Sequence, residues 1–326
     1  MPHVQEHNMS LTFNHQTNDI SNATGTVTFN GTAVGADNTP TPAVGNRAIV
    51  AGSNGTSNVI QYFNISSTGN AIDFGDLVAG RSYMTVCSNI TRALFAGGRV
   101  SSTFKNDIEY VTIATTGNAQ DFGDLTVARQ GLGSASNETR ATFAAGYDGS
   151  ALSNVIDYVT VDTTGNAQDF GDLTAARTYI RGTASSYRGI YGGNNDYNNY
   201  IDYITIATTG NASQFGLLTV NRGQMGACAD ETRALFGGGD NGAGTFYNTI
   251  DYITIATTGN ATDFGDLLTT GSGLASCANA TRGTWSGGAV GAANTIQYVT
   301  IQTTGNASDF GDLIATLKDA DACSGT

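Results

Sequence analysis

Beyond residue 15 the sequence contains no histidine: His3, His7 and His15 are the only three. The commonest general base and metal ligand is therefore missing from almost the whole chain. Proline is nearly as scarce, 3 residues against 43 glycines, which excludes both a collagen-like and a proline-rich disordered tract. Lysine is reduced to Lys105 and Lys318, and the 14 basic residues face 27 acidic ones for a net charge of −13. That field repels a phosphate backbone, so no nucleic-acid partner is expected. It is read as a means of keeping a lysine-poor surface soluble. No run approaches the roughly 20 apolar residues of a membrane span, so no membrane partner is expected either. The opening MPHVQEHNMSL lacks the basic start and apolar stretch of a secretory signal, and assembly inside a cell is expected. The four cysteines show no CxxC spacing.

What is present is repetition. TTGNAQDFGDL, from Thr115 and again from Thr163, recurs as STGNAIDFGDL, TTGNASQFGLL, TTGNATDFGDL and TTGNASDFGDL, with its Phe at 74, 122, 170, 215, 264 and 310. A second landmark keeps the same rhythm, as in ITRALFAGG and ETRALFGGG, with its Arg at 47, 92, 140, 188, 233 and 282. Periods of roughly 40–50 residues belong to solenoids and propellers.

Within one unit the pattern predicts four short strands separated by glycine-bearing turns: a over 131–137, b over 140–145, c over 154–162 and d over 168–174. Thr-Gly-Asn between c and d is expected to supply residues at positive φ for a tight hairpin, with the Phe packing between adjacent sheets. Four-stranded units arranged radially make a β-propeller. The first unit opens directly on strand b and DADACSGT resembles a strand a with no strand b after it. The expected fold is therefore all-β, a six-bladed propeller over 46–326 whose first blade is completed by the C-terminal strand, leaving no free sheet edge. Residues 1–45 lie outside the period. LTFNH (11–15) and TVTFNGTAV (26–34) alternate, Asn30-Gly31 signals a hairpin, and ADNTPTPAVG (36–45) reads as a linker; a small β arm that anchors or oligomerises is expected, against a loose strand lying on the propeller.

Cys87, Cys228, Cys277 and Cys323 share a slot that other units fill with Ala135 and Thr183, so they are expected to be small buried residues with free, inert thiols. The paired corner aspartates, such as Asp121 and Asp124, offer too few oxygens for calcium, and are expected to pair instead with the strand-b arginines on the same rim. The c–d corner and a–b turn hardly vary among units, whereas the b–c loops and d–a segments do. Alternating strand direction puts those variable parts on one face, where binding is expected. Its candidate residues are Tyr83, Phe104, Tyr147, Tyr179, Arg181, Tyr197, Tyr200, Phe246 and Tyr247, a set of aromatics with polar tips suited to a carbohydrate or protein surface.

An arginine, a strand ending in Gly-Gly (Gly97-Gly98, Gly192-Gly193, Gly238-Gly239, Gly287-Gly288), a Tyr-bearing strand c and an aromatic in strand d resemble the kelch repeat over 46–326. Phe in place of the usual strand-d Trp, and the degraded glycine pairs at Gly52-Ser53 and Ala145-Gly146, depart from it. Copper-dependent kelch oxidases need ring histidines that this chain lacks, so no catalytic residue, metal or cofactor is carried over. SLTFNHQTNDISNATGTVTFNG and the units reading YVTIATTGNAxDFGDLTxAR are similar to structural, kelch-like virion proteins of tailed bacteriophages of marine bacteria. That resemblance implies a non-enzymatic particle component: a tail fibre, appendage or capsid-surface knob, assembled in the host cytoplasm and oligomeric on the particle. It would contact other virion proteins through the arm and a host-surface glycan or protein through the propeller. A carbohydrate-active propeller enzyme and a cellular kelch adaptor are the alternatives; the first needs a carboxylate pair facing the central pocket, the second a partner-recruiting domain.

Overall fold

The computed structural model describes residues 12–14, 19–21, 27–29, 32–34, 45–52, 57–194, 199–288 and 294–325. The chain divides into two units, Met1–Pro42 and Ala43–Thr326. In the first, Thr12–Asn14 pairs antiparallel with Asp19–Ser21, and Val27–Phe29 pairs with Thr32–Val34. Phe29 lies opposite Thr32, the register expected of a two-residue connection at Asn30-Gly31, which is itself outside the described residues. The linker read over 36–45 falls outside them too, except for its last residue.

The second unit is a six-bladed β-propeller of four-stranded antiparallel sheets. In the third blade strand a is Gly133–Ser136, b Arg140–Ala144, c Val155–Thr160 and d Gln168–Asp172, and the other blades repeat that order. The innermost strands, Thr85–Ser88, Gly133–Ser136, Arg181–Ala184, Gly226–Ala229, Ala275–Ala278 and Asp321–Ser324, each contact the next around the ring. Asp321–Ser324 pairs with Arg47–Ala51 and so completes the first blade, with Cys323 opposite Ile49.

Each junction between blades has its own apolar core. One core joins Phe74, Ile49 and Ile60 of the first blade to Met84, Phe95 and Val111 of the second. Another joins Phe310 and Leu313 of the sixth blade to Phe63 and Val50 of the first. Strand d pairs with strand c through a bulge. Ile156 faces Gly171 and Asp157 faces Asp169, so Phe170 is skipped and turned into the core. The four cysteines are buried and free, and burial pushes the thiols of Cys87 and Cys277 up to about 12.

The repeated TGNAxDFGD segment joins one blade to the next. Gly117 donates its N–H to the Phe74 carbonyl at 2.8 Å, Ala119 to Asp76 at 2.8 Å, and the Asn118 side chain accepts the Asp76 N–H at 3.1 Å. All six junctions repeat these three bonds, the last from Asn70 back to Asp312. The outer edge of every sheet is thereby occupied by its neighbour's c–d connection. The expected positive φ of Thr-Gly-Asn is met in part: Gly165, Gly210 and Gly305 have it, at 155–156°, whereas Gly69, Gly117, Gly259 and the corner asparagines do not. The corner is selected for what it bonds across the junction.

The strand-b arginines do not pair with the corner aspartates. Arg92 stacks on Tyr110, 4.6 Å from the ring centroid, and donates to the Val161 carbonyl of the next blade at 3.0 Å. The other five do the same; Arg282 stacks on Tyr298 and reaches Ile65 of the first blade. The tyrosine of strand c lies in reach of the guanidinium, and the carbonyl beyond it accepts a hydrogen bond from the guanidinium N–H, so no carboxylate is needed. Blade four illustrates why the acids are dispensable: Leu217 replaces one, yet its main-chain N–H still bonds Asn260.

A second set of arginines, in the d–a segments, makes the ion pairs. Arg81 pairs with Glu109, Arg129 with Asp157, Arg177 with Asp202 and Arg222 with Asp251, each side chain at most 5% exposed. In each pair the acid comes from strand c of the next blade. At the two remaining junctions Gly271 and Leu317 stand in the arginine's place, and Gln297 and Gln61 in the acid's. Both glutamines keep the acid's other bond, accepting the N–H of Leu268 and of Ile314 at 2.7 Å.

Candidate functional site

The antiparallel strands place the b–c loops and the d–a segments at the same end, and the chain pairs them there. Ser82 bridges Arg99, Gln130 bridges Tyr147 and Gly223 bridges Asp240. Two residues before each innermost strand stands one position of a six-membered set: Tyr83, Gly131, Tyr179, Gln224, Gly273 and Asp319. All six have left-handed backbone, with φ between 53° and 70°. Each donates its N–H to the carbonyl of the one before, at 2.8–3.2 Å, and Tyr83 closes the circle onto Asp319. A ring of main-chain bonds therefore surrounds the propeller axis at this end. It satisfies the backbone where six segments of the chain converge and holds their side chains in fixed order.

Four members of the ring carry side chains. The Tyr83 and Tyr179 rings meet edge to face at 5.3 Å, above the side-chain-free Gly131. Arg99 lies over the Tyr83 ring at 5.0 Å, and the Gln130 amide reaches the Tyr179 hydroxyl at 3.4 Å. Farther out, Arg99–Val100 and Thr103–Phe104 form a small hairpin that carries Phe104 to within 5.8 Å of the Tyr147 ring, and the Tyr147 hydroxyl donates to the Gly149 carbonyl. The result is a continuous arc of Tyr179, Tyr83, Arg99, Phe104, Tyr147 and Gln130 over the second to fourth blades. Burial is the main cause that pushes the Tyr83 and Tyr179 hydroxyls upward, with Asp319 adding to it for Tyr83, so both stay protonated at neutral pH.

Of the predicted residues, Tyr83, Phe104, Tyr147 and Tyr179 come together in this arc. Tyr200 lies partly exposed at the start of strand c in the fourth blade, its carbonyl accepting from Arg177. Phe246 and Tyr247 belong to the fifth blade's b–c loop, which Phe246 closes against Asp240. Tyr197 lies outside the described residues. Arg181 is not a loop residue at all. It begins the innermost strand of the fourth blade, 5% exposed, and donates to the Ala320 carbonyl on the first blade, directly across the ring, at 3.3 Å. Its charge also acts on Asp319 and Asp321 of that blade. The other blades put Thr85, Gly133, Gly226, Ala275 and Asp321 at this position, small side chains apart from Asp321 itself. Arg181 and Asp321 are thus a matched pair of departures facing each other in the bore.

Asp319 was missed, and so were the ring itself and the arc members Arg99 and Gln130. The signal for the ring was the alternation of Tyr, Gly, Tyr, Gln, Gly and Asp at one repeat position, which only a positive-φ site shared by glycine explains. Asp319 is 1% exposed, and the Tyr83 hydroxyl is the hydrogen-bond donor that approaches its carboxylate, at looser than ordinary geometry. Burial pushes its carboxyl up. Among the described residues no three His, Cys, Asp or Glu side chains converge as metal ligands would. No protein-family model and no curated protein matches the chain.

Proposed function

We propose that the chain is a non-enzymatic recognition protein that binds through the aromatic arc of its b–c and d–a face. One observation carries this reading. On the opposite face and around the circumference, the corner asparagines and the strand-b arginines are spent on the neighbouring blade, in the same bonds six times over. The arc is made of groups the frame does not use: Phe104, Tyr147, Tyr83 and Tyr179 have no counterpart in every blade, and they sit on loops of a rigid scaffold. Tyrosine and arginine in fixed positions are the side chains that dominate binding energies at recognition surfaces.

The wider setting is proposed from the resemblance of the repeats and of residues 10–31 to kelch-like virion proteins of tailed phages. In that setting the chain is a particle component, assembled in the host cytoplasm and present in several copies. Its first 45 residues dock to other virion proteins, and the propeller meets a host-surface glycan or protein. Two measurements test the two halves of the proposal. Electron microscopy with an antibody to the propeller should place the chain on purified particles. A Phe104→Ala, Tyr147→Ala, Tyr179→Ala variant, folded by its melting curve, should lose adsorption to host cells by at least about tenfold, as hot-spot removal does. Particles that carry no label, or a variant that adsorbs like the parent, overturn the corresponding half.

A further inference from the structure

Positive charge is scarce in this chain, and the frame consumes nearly all of it. Six of the arginines stack on strand-c tyrosines and bond a carbonyl of a neighbouring blade, four form the buried ion pairs, and Arg181 reaches across the ring to Ala320. Arg99 is left over. Its guanidinium lies over the Tyr83 ring, but among the described residues it donates no hydrogen bond and forms no ion pair. The frame makes no demand for it, because the bridge that sets Arg99 beside Ser82 holds Tyr147 in the third blade and Asp240 in the fifth. A half-buried guanidinium, fixed by an aromatic face and with its donors unused, is prepared for a planar anion, which it takes through two parallel N–H bonds.

The surroundings favour the same sign. The hairpin register puts Arg99 opposite Phe104, Lys105 follows directly, and Lys318 stands next to the ring member Asp319. The acids of the described b–c loops and d–a segments are already engaged. Asp148 accepts the N–H groups of Ser150 and Ala151, Asp240 accepts that of Gly242, and Asp319 is buried with the Tyr83 hydroxyl as its donor. Asp107, at the start of strand c, holds Lys105 at 3.0 Å. The exposed acids Asp73, Asp121, Asp169, Asp263 and Asp309 lie instead on the outer strands. Net charge of −13 opposes an anion at long range, but at physiological salt that field is screened beyond about 8 Å, so the local cations decide. We propose that the arc binds a carboxylate-bearing saccharide, with Arg99 receiving the carboxylate and the rings of Tyr83, Phe104 and Tyr147 bordering the sugar. Half-buried aromatics with polar tips suit a ligand that is apolar on one face and hydroxylated at its edge. An acidic peptide carries the same carboxylate, but an extended peptide docks by adding to a free sheet edge, and the outer edges here are occupied by the neighbouring corners. This inference rests on the reading of the loop face as the recognition surface and names the ligand class that face takes.

Isothermal titration of the full chain at pH 7.5 and physiological salt tests it with two matched pairs: sialyllactose against lactose, and trigalacturonate against its methyl ester. Saturable binding of at least one acidic saccharide is expected, with its neutral counterpart weaker by about tenfold or more. Arg99→Gln should weaken the acidic saccharide by a similar factor and leave the neutral one unchanged. Arg99→Lys, which keeps the charge and loses the fork, should fall between the two. Asp309→Asn, on an outer strand, should bind like the parent. Melting curves show whether the variants fold, and the acid-against-neutral comparison on the parent stands without them. Binding of neither acidic saccharide, equal binding of a matched pair, an Arg99→Gln protein that binds like the parent, or tighter binding of triglutamate than of both acidic saccharides overturns the proposal. Should the arc variant lose host adsorption while Arg99→Gln adsorbs like the parent and no acidic saccharide binds, the recognition reading survives and this inference alone falls.

Discussion

Gly216 of strand d and Gly259 of the next blade's corner touch across one junction, and their backbone conformations make them a clean steric comparison. A Cβ added to Gly216 would sit 2.0 Å from the Gly259 carbonyl oxygen, whereas one added to Gly259 would meet nothing within 4 Å. Neither residue has positive φ, so strain in the backbone does not enter. Gly216→Ala is expected to cost about 2 kcal/mol or more, because main chain rather than a flexible side chain must retreat. Gly259→Ala should stay within about 0.5 kcal/mol of the parent. Urea unfolding of the two variants measures the contrast, and equal effects would mean that the junction is looser than its hydrogen bonds imply. Asp319 supplies the second comparison at this scale. Its carboxyl titrates above its unfolded value near 3.9, so the folded chain binds the proton more tightly than the unfolded one does. Stability contributed by that proton is full below about pH 3.9 and is lost as pH rises through the folded value. Asp319→Asn removes the loss. Its melting temperature should exceed the parent's by more at pH 8 than at pH 4, and a difference that grows toward acid would contradict the burial argument.

The strand-c acids and the d–a arginines form a two-part element that the chain itself has exchanged. Four junctions hold Arg with Asp or Glu, and two hold Gly271 with Gln297 and Leu317 with Gln61, all without disturbing the pairing register. Breaking one buried pair leaves an uncompensated charge, so Asp157→Ala is expected to cost about 3–5 kcal/mol. Arg129→Leu with Asp157→Gln copies the junction at Leu317 and Gln61, and should fall within about 1 kcal/mol of the parent or above it. Calorimetric melting of the two variants decides whether the ion pair contributes net stability or only a junction-specific fit. This element was readable in principle, since LVAGR, LTVAR, LTAAR and LTVNR all put an arginine four residues after the strand-d leucine, and the acid vanishes from strand c where the arginine does. It was not read, because the two partners lie in different repeats and alignment of the repeats compares like with like. The same blindness explains the misassigned corner. Repetition located the strands, the small buried cysteine slot and the closing C-terminal strand, all of which depend on one unit's own pattern. It could not reveal that Asn118 serves Asp76 or that Arg92 serves Val161, because those bonds join different positions of different blades. Of the candidate site, the aromatic loops stood out by their variability. Arg99, Gln130 and Asp319 did not, because their roles depend on the axial ring that sequence periodicity does not describe.

For the whole molecule, closure is what turns six weak sheets into one fold. An isolated blade of four short strands buries too little to stand alone, and every apolar core here is shared between two neighbours. The terminal segment Asp319–Ser324 closes three circles at once. It pairs with Arg47–Ala51, it supplies one link of the axial hydrogen-bonded ring, and Asp321 bonds Thr85 and Val86 of the second blade. Removing residues 319–326 leaves Arg47–Ala51 as a naked apolar edge and opens the ring at two of its six bonds. The shortened chain should melt lower by on the order of 10 °C and self-associate through that edge. A synthetic DADACSGT peptide added in trans presents the same strand to the same edge, so it should restore part of the melting temperature and suppress association, whereas a scrambled peptide should not. Light scattering during the melt follows both. If the shortened chain stays monomeric and melts like the parent, the ring is held by its junction bonds alone and the C-terminal strand is an accessory rather than the clasp.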